Sequence, residues 1–141
     1  MRGVTLPELT STLLILGVVA TVTIPPAQRL VDRAAVAGAA DRYASVHEVT
    51  RHTAIARGRT TRYEVDRASV RMTLSLRNAR GAWDTVRVFE LGDVHVAVSQ
   101  STVTFNPLGI GAGVSNTTVA FSRGAAAETL TVSRTGRLRR W

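Results

Sequence analysis

A chain of 141 residues has room for one domain, and a hydrophobic share of 45% is too high for wholesale disorder. It holds no cysteine, which excludes a disulfide scaffold and a thiolate metal site. All 18 basic residues are arginine and the formal charge is +8, so codon bias in a GC-rich genome and a polyanionic partner are competing sources of the basicity.

Position narrows this. Residues 1–28 are neutral, Arg2 standing against Glu8. Residues 29–80 carry eleven Arg and five acids, a local +6, and residues 81–122 fall to −2. The last stretch, 123–141, returns to +4 with five Arg and one Glu.

The first element is an apolar run over residues 4–24, VTLPELTSTLLILGVVATVTI. Its 21 residues reach about 31 Å as a helix, enough to cross a hydrocarbon core. The one ionisable group is Glu8, near the start of the run. A carboxylate there costs about 2.5–3.5 kcal/mol on insertion scales, so it is a candidate functional group. A secretory signal peptide fits poorly, because an acid interrupts the run and the small-residue site expected around 20–23 is weak. An ordinary signal anchor accounts for the length and leaves the acid unexplained.

Met1-Arg2-Gly3 followed by Val4-Thr5-Leu6-Pro7-Glu8-Leu9 resembles the prepilin signal of type IV pilins and pseudopilins. The resemblance implies cleavage by a prepilin peptidase after Gly3 and N-methylation of Val4. The head would then be periplasmic, on a single pass through the inner membrane behind a short cytoplasmic leader. Val4 departs from the more usual Phe or Met. Pro25 fits the proline that pilin helices commonly carry near the end of the membrane segment. Cleavage frees an α-amino group on Val4, and Glu8 of an incoming subunit can pair with a neighbour's amine. Two groups costly alone in lipid become acceptable together, which makes Glu8 an assembly device.

Beyond Pro25-Pro26 the pattern stays helical and becomes amphipathic. Leu30, Ala34, Ala37, Ala40 or Asp41, Ala44 and Val49 recur at three-to-four spacing and predict the buried stripe. Gly58 is a natural C-cap, so the helix is expected over about 4–57, kinked at the prolines. From residue 60 the period changes to two. Strands are expected at 60–66, 69–77, 85–91, 94–99, 102–105, 117–121 and 129–133, with turns at 78–81, 92–93, 106–113, 122–124 and 135–136. A long helix followed by short strands predicts an α+β fold with antiparallel sheets wrapped on the helix. The parts are a leader at 1–3, a membrane and assembly helix at 4–26, its amphipathic half at 27–58 and a β-rich head at 59–141.

The residues Thr53-Ala54-Ile55-Ala56-Arg57-Gly58 resemble the "EAIRRG" segment of the GspH/FimT group of pseudopilins and minor pilins. Phe105-Asn106-Pro107-Leu108-Gly109 and the stretch 130–137, ending in Gly136-Arg137, are similar to that group as well. This implies a subunit of a type II secretion system or a type IV pilus, with other pilins as partners.

Three motifs read as decoys. His47-Glu48-Val49-Thr50-Arg51-His52 approaches the zincin pattern, yet its second His lies about 140° around the helix, so solvated helix residues are expected. Gly109-Ile110-Gly111-Ala112-Gly113 precedes no helix that could face a phosphate, so a flexible loop is expected. Asn116-Thr117-Thr118 matches a glycosylation sequon without meaning in an ordinary bacterium. No catalytic set, cofactor site or metal-ligand cluster is legible, and no enzyme is expected.

The C-terminal Arg137-Leu138-Arg139-Arg140-Trp141 offers charge for phosphates and an aromatic face for a base. Two readings stay open: a solvated tail closing the last strand, or a DNA-binding element. The second is favoured by resemblance, because some FimT-like minor pilins bind DNA through a G-R-x-R element that Gly136-Arg137-Leu138-Arg139 matches.

Overall fold

The computed structural model describes residues 5–113 and 116–141, the side chains of residues 22–26 excepted. Gly3 and Val4 lie outside the described residues, as do the side chains of Pro25 and Pro26, where the kink is expected.

One helix, α1, runs from Leu6 to Arg57. Thr5 is its extended N-cap, and Pro7 sits in the first turn, where a missing N–H costs nothing. At the other end Gly58 adopts a left-handed φ of 57°. Its N–H donates to the Ile55 carbonyl and that of Arg59 to the Ala54 carbonyl, both at 3.2 Å, which caps the last turn as a Schellman motif.

Among the described residues nine strands follow: β1 (Thr61–Asp66), β2 (Arg71–Arg77), β3 (Trp83–Glu90), β4 (His95–Val98), β5 (Thr102–Phe105), β6 (Gly111–Ala112), β7 (Thr117–Arg123), β8 (Ala126–Val132) and β9 (Leu138–Arg140). They form two antiparallel sheets, ordered β3-β2-β1-β5-β6 and β4-β7-β8-β9. The chain therefore leaves the first sheet for β4, returns for β5 and β6, and leaves again for β7. The α+β architecture expected from the change of period is what the structure has.

Alternation decides the core. Tyr63 and Val65 of β1, Val119 and Phe121 of β7, and Leu130 and Val132 of β8 point inward onto α1. The helix meets them with Val36, Ala40, Tyr43, His47, Thr50 and Ala54, all buried, at alternating spacings of four and three.

This corrects the expected stripe. Leu30, Ala34, Asp41 and Val49 are exposed, and Ala37 and Ala44 are only half-buried. The real stripe is rotated by about one residue, roughly 100°. Alanines on several sides of the helix make the apolar face ambiguous. The tie is broken by Tyr43, His47 and Thr50, whose polar atoms find partners inside.

Two strands were not expected. Residues 106–113 contain β6, which pairs with β5 through Thr104↔Ala112 and Phe105↔Gly111, so the expected loop is in part a strand. The C-terminal segment is also a strand, in register Leu130↔Arg140, Thr131↔Arg139 and Val132↔Leu138.

Candidate functional site

Two regions carry the residues singled out by sequence. At the helix start, Leu6, Leu9, Leu13, Leu14, Ile15, Leu16, Val18 and Val19 are all exposed, Leu6 at 79%. Large apolar side chains around a whole helical surface lose their hydration cost only against other apolar matter. Among the described residues no helix is long and apolar enough to cross a membrane, and the expected span of 4–24 extends past the described side chains at both ends.

Glu8 is the third residue of the helix. Its carboxylate turns back toward the Thr5 N–H and hydroxyl, each 3.5 Å away, at the outer limit of a hydrogen bond. This is the geometry of a weak capping box, and the carboxylate stays exposed. Sequence reasoning missed this local role, although Thr at the cap with Glu three residues later is its usual signal.

The second region is the outer face of β9 and its neighbours. Alternation places Arg139 and Trp141 on the face opposite Leu138 and Arg140. Arg137, Arg139 and Trp141 line a shallow recess of about 420 Å³ with Thr131, Ser133 and Thr135. Trp141 is 75% exposed, and its backbone N–H donates to the Thr129 carbonyl at 2.9 Å, which extends the ladder beyond β9. Two guanidinium groups, three hydroxyls and an indole face thus share one surface.

Arg140 does not join them. Its guanidinium bonds both carboxylate oxygens of Glu128 on β8 and reaches Asp41 of α1 at 2.6 Å. These bonds, Glu128 first, push its pKa up and hold the charge facing the helix. The sequence group of Arg137, Arg139, Arg140 and Trp141 divides into three residues on one face and one on the other.

A third site was read wrongly. His47 is not solvated; it is completely buried, while Glu48 and His52, its partners in the decoy motif, remain exposed and 3.9 Å apart. The His47 Nε2 lies 2.9 Å from the Gly136 carbonyl and Nδ1 lies 3.3 Å from the Tyr63 hydroxyl. Tyr63 in turn is 2.8 Å from the Tyr43 hydroxyl. The Phe105 ring stands edge-on, 5.2 Å from the imidazole. Burial pushes the His47 pKa down, the Gly136 bond opposing it, and burial pushes both tyrosines up, Tyr43 to about 12.

No family model matches the chain, and no curated protein matches it. Solved structures do. The type IV minor pilin FimU of Pseudomonas aeruginosa is 16% identical, with a TM-score of 0.62 over 75% of this chain and 87% of that one. The minor pseudopilin EpsH from the type II secretion system of Vibrio cholerae is 12% identical, with a TM-score of 0.64 over 77% of this chain and 97% of that one. A second EpsH structure gives 14% and 0.60, over 72% and 92%. At such identities the likeness concerns the fold, and it covers both the helix-on-sheet architecture and nearly the full length of those chains. The chain has the type IV pilin-like fold of the GspH/FimT group.

Proposed function

We propose that this protein is a minor pilin or pseudopilin subunit of a type IV pilus or type II secretion system, assembling through its N-terminal helix. The observation that carries the reading is the division of α1. One half is packed under two sheets, and the other exposes large apolar side chains from Leu6 to Val19 with a single acid, Glu8, near its start. Such a helix is accommodated by a membrane before assembly and by neighbouring helices after it. The inner membrane, a prepilin peptidase and other pilins are the partners this requires. The fold resembles proteins that are structural subunits, and the function proposed is assembly, not catalysis.

The experiment is intact-mass analysis of membrane-extracted protein co-expressed with a prepilin peptidase. Cleavage between Gly3 and Val4 with one added methyl group is expected. A mature N-terminus near residues 20–26, or a retained Met1, contradicts the reading.

A second reading, capture of DNA by the head, is favoured by one observation: Arg137, Arg139 and Trp141 share a recess. Because Arg140 is committed to Glu128 and Asp41, two arginines face a polyanion. Duplex binding should then weaken with a log–log salt slope near −1.8, at about −0.9 per phosphate contact. It should be indifferent to sequence, since no element is shaped to read base edges. Arg137→Gln with Arg139→Gln should remove most of the binding measured by fluorescence anisotropy, while Arg29→Gln with Arg33→Gln should remove little. Equal losses in both pairs indicate diffuse attraction, and no binding at low salt ends this reading.

A further inference from the structure

The chain has two tryptophans, two tyrosines and three phenylalanines. Tyr43, Tyr63, Phe105 and Phe121 are fully buried. The rings of Trp83 and Phe89 are half-buried, and each carries a guanidinium on its face, Arg62 at 4.4 Å and Arg87 at 4.8 Å from the ring centre. Trp141 differs from all of these. It is 75% exposed, and among the described residues no ring or guanidinium stacks on it. A large apolar face left in water is a surface that gains by being covered.

The ring is held in place by its backbone. Trp141 N–H donates to the Thr129 carbonyl at 2.9 Å, so the side chain stands one step beyond β9, on the face turned away from Leu138 and Arg140. Period two puts Arg137, Arg139 and Trp141 in a row, each about 6.7 Å from the next. Hydroxyls run beside the row. Thr131 pairs with Arg139 across the ladder, and the Ser133 and Thr135 hydroxyls lie 3.0 Å apart. The Ser133 hydroxyl also accepts the Arg137 N–H at 3.0 Å, which fixes the first arginine against them. No acid lines the recess. Two charges in line with a bare aromatic face make a surface that tracks a nucleic-acid backbone and offers a base somewhere to stack.

A duplex cannot use the ring in this way. Each base inside it is covered on both faces by its neighbours, and extracting one costs pairing and stacking. In a single strand the bases turn out readily, and any of them can lie on an indole whatever its identity. Charge has the opposite preference. Duplex phosphates are denser, and each contact releases about 0.9 counterion against about 0.7 for a single strand. A preference for the single strand therefore points to the ring and not to the arginines.

We propose that the β9 recess is a single-strand site, in which Arg137 and Arg139 hold phosphates of one strand and Trp141 stacks an unpaired base. The proposal rests on the DNA-capture reading and names the form of DNA that this surface takes. Unpaired stretches, including the frayed ends of a longer duplex, are its ligand.

The test uses the full chain in detergent micelles and two fluorescein-labelled probes, oligo-dT of about 12 nucleotides, within the site sizes of such surfaces, and a blunt duplex of the same length. Anisotropy at equal low salt should show the wild type binding oligo-dT at least about fivefold tighter than the duplex, the lower end of what one stacked base contributes. The log–log salt slopes should lie near −1.4 for oligo-dT and −1.8 for the duplex, at about −0.7 and −0.9 per phosphate contact. Trp141→Ala keeps the N–H that bonds Thr129 and removes an exposed ring, so its circular dichroism should match the wild type. It should weaken oligo-dT binding by about 5- to 150-fold more than duplex binding, with the oligo-dT slope unchanged. Trp141→Phe restores a smaller ring and should recover part of the loss. Arg137→Gln with Arg139→Gln should weaken both probes. A duplex bound as tightly as oligo-dT, or a Trp141→Ala variant that weakens both probes equally, overturns the single-strand site while the DNA-capture reading stands. No binding of either probe at low salt overturns both.

Discussion

Replacing Tyr43 by Ala is expected to cost about 3–5 kcal/mol of head stability, the range for deleting a buried aromatic ring. Tyr43 is fully buried on α1 and touches both sheets. Its ring stands edge-on to Tyr63 of the five-stranded sheet at 5.8 Å and to Phe121 of the four-stranded sheet at 5.9 Å. Losing it opens a cavity where helix and both sheets meet. A domain with a total of about 5–15 kcal/mol cannot lose this much without a large drop in its denaturation midpoint. Tyr43→Phe keeps the ring and removes only the 2.8 Å bond to Tyr63, so it should cost about 1 kcal/mol. Denaturant titration followed by circular dichroism separates the two. A Tyr43→Ala loss no larger than that of Tyr43→Phe would mean the ring does not join the sheets. The same burial sets an alkaline limit: with its pKa raised from 10.0 to about 12, Tyr43 contributes stability that is full below 10 and is lost as pH rises toward 12.

The parts of the fold read correctly from sequence are those whose signal is local. Seven strands announce themselves by period two, and Gly58 marks the helix end because only glycine adopts its φ readily. The parts misread depend on distant partners. β6 is two residues of a glycine-rich loop, given strand geometry by Phe105 and Thr104 across from it. β9 is Leu-Arg-Arg, a composition that reads as a solvated tail until Thr131 and Glu128 of β8 stand beside it. His47 looks solvent-facing next to Glu48 and His52. Its burial follows from lying four residues after Tyr43 and three before Thr50, a stripe that a search for apolar residues alone does not see. At the recess, the sequence grouped Arg137, Arg139, Arg140 and Trp141 without showing that Arg140 turns to the other face, because the side of an edge strand on which a residue falls depends on register.

Glu8→Ala is expected to abolish filament entry while leaving membrane insertion intact. Removing the acid makes the helix easier to insert, by about 2.5–3.5 kcal/mol on insertion scales, so a defect in assembly cannot be blamed on a defect in anchoring. The variant also loses the weak capping contacts to Thr5, a small local cost of about 0.5–1 kcal/mol. Thr5→Ala is the control, since it weakens the cap and keeps the carboxylate. If Glu8 acts by pairing with a neighbour's α-amino group, Thr5→Ala should assemble nearly normally. The measurement is recovery of each chain in sheared filaments, or in crosslinks to partner subunits, relative to its amount in the membrane. The account predicts that the wild type is recovered with partners, Thr5→Ala is close behind, and Glu8→Ala stays in the membrane at least about tenfold depleted from the assembled fraction. A wild-type chain that never leaves the membrane fraction, or a Glu8→Ala chain recovered as fully as the wild type, contradicts it.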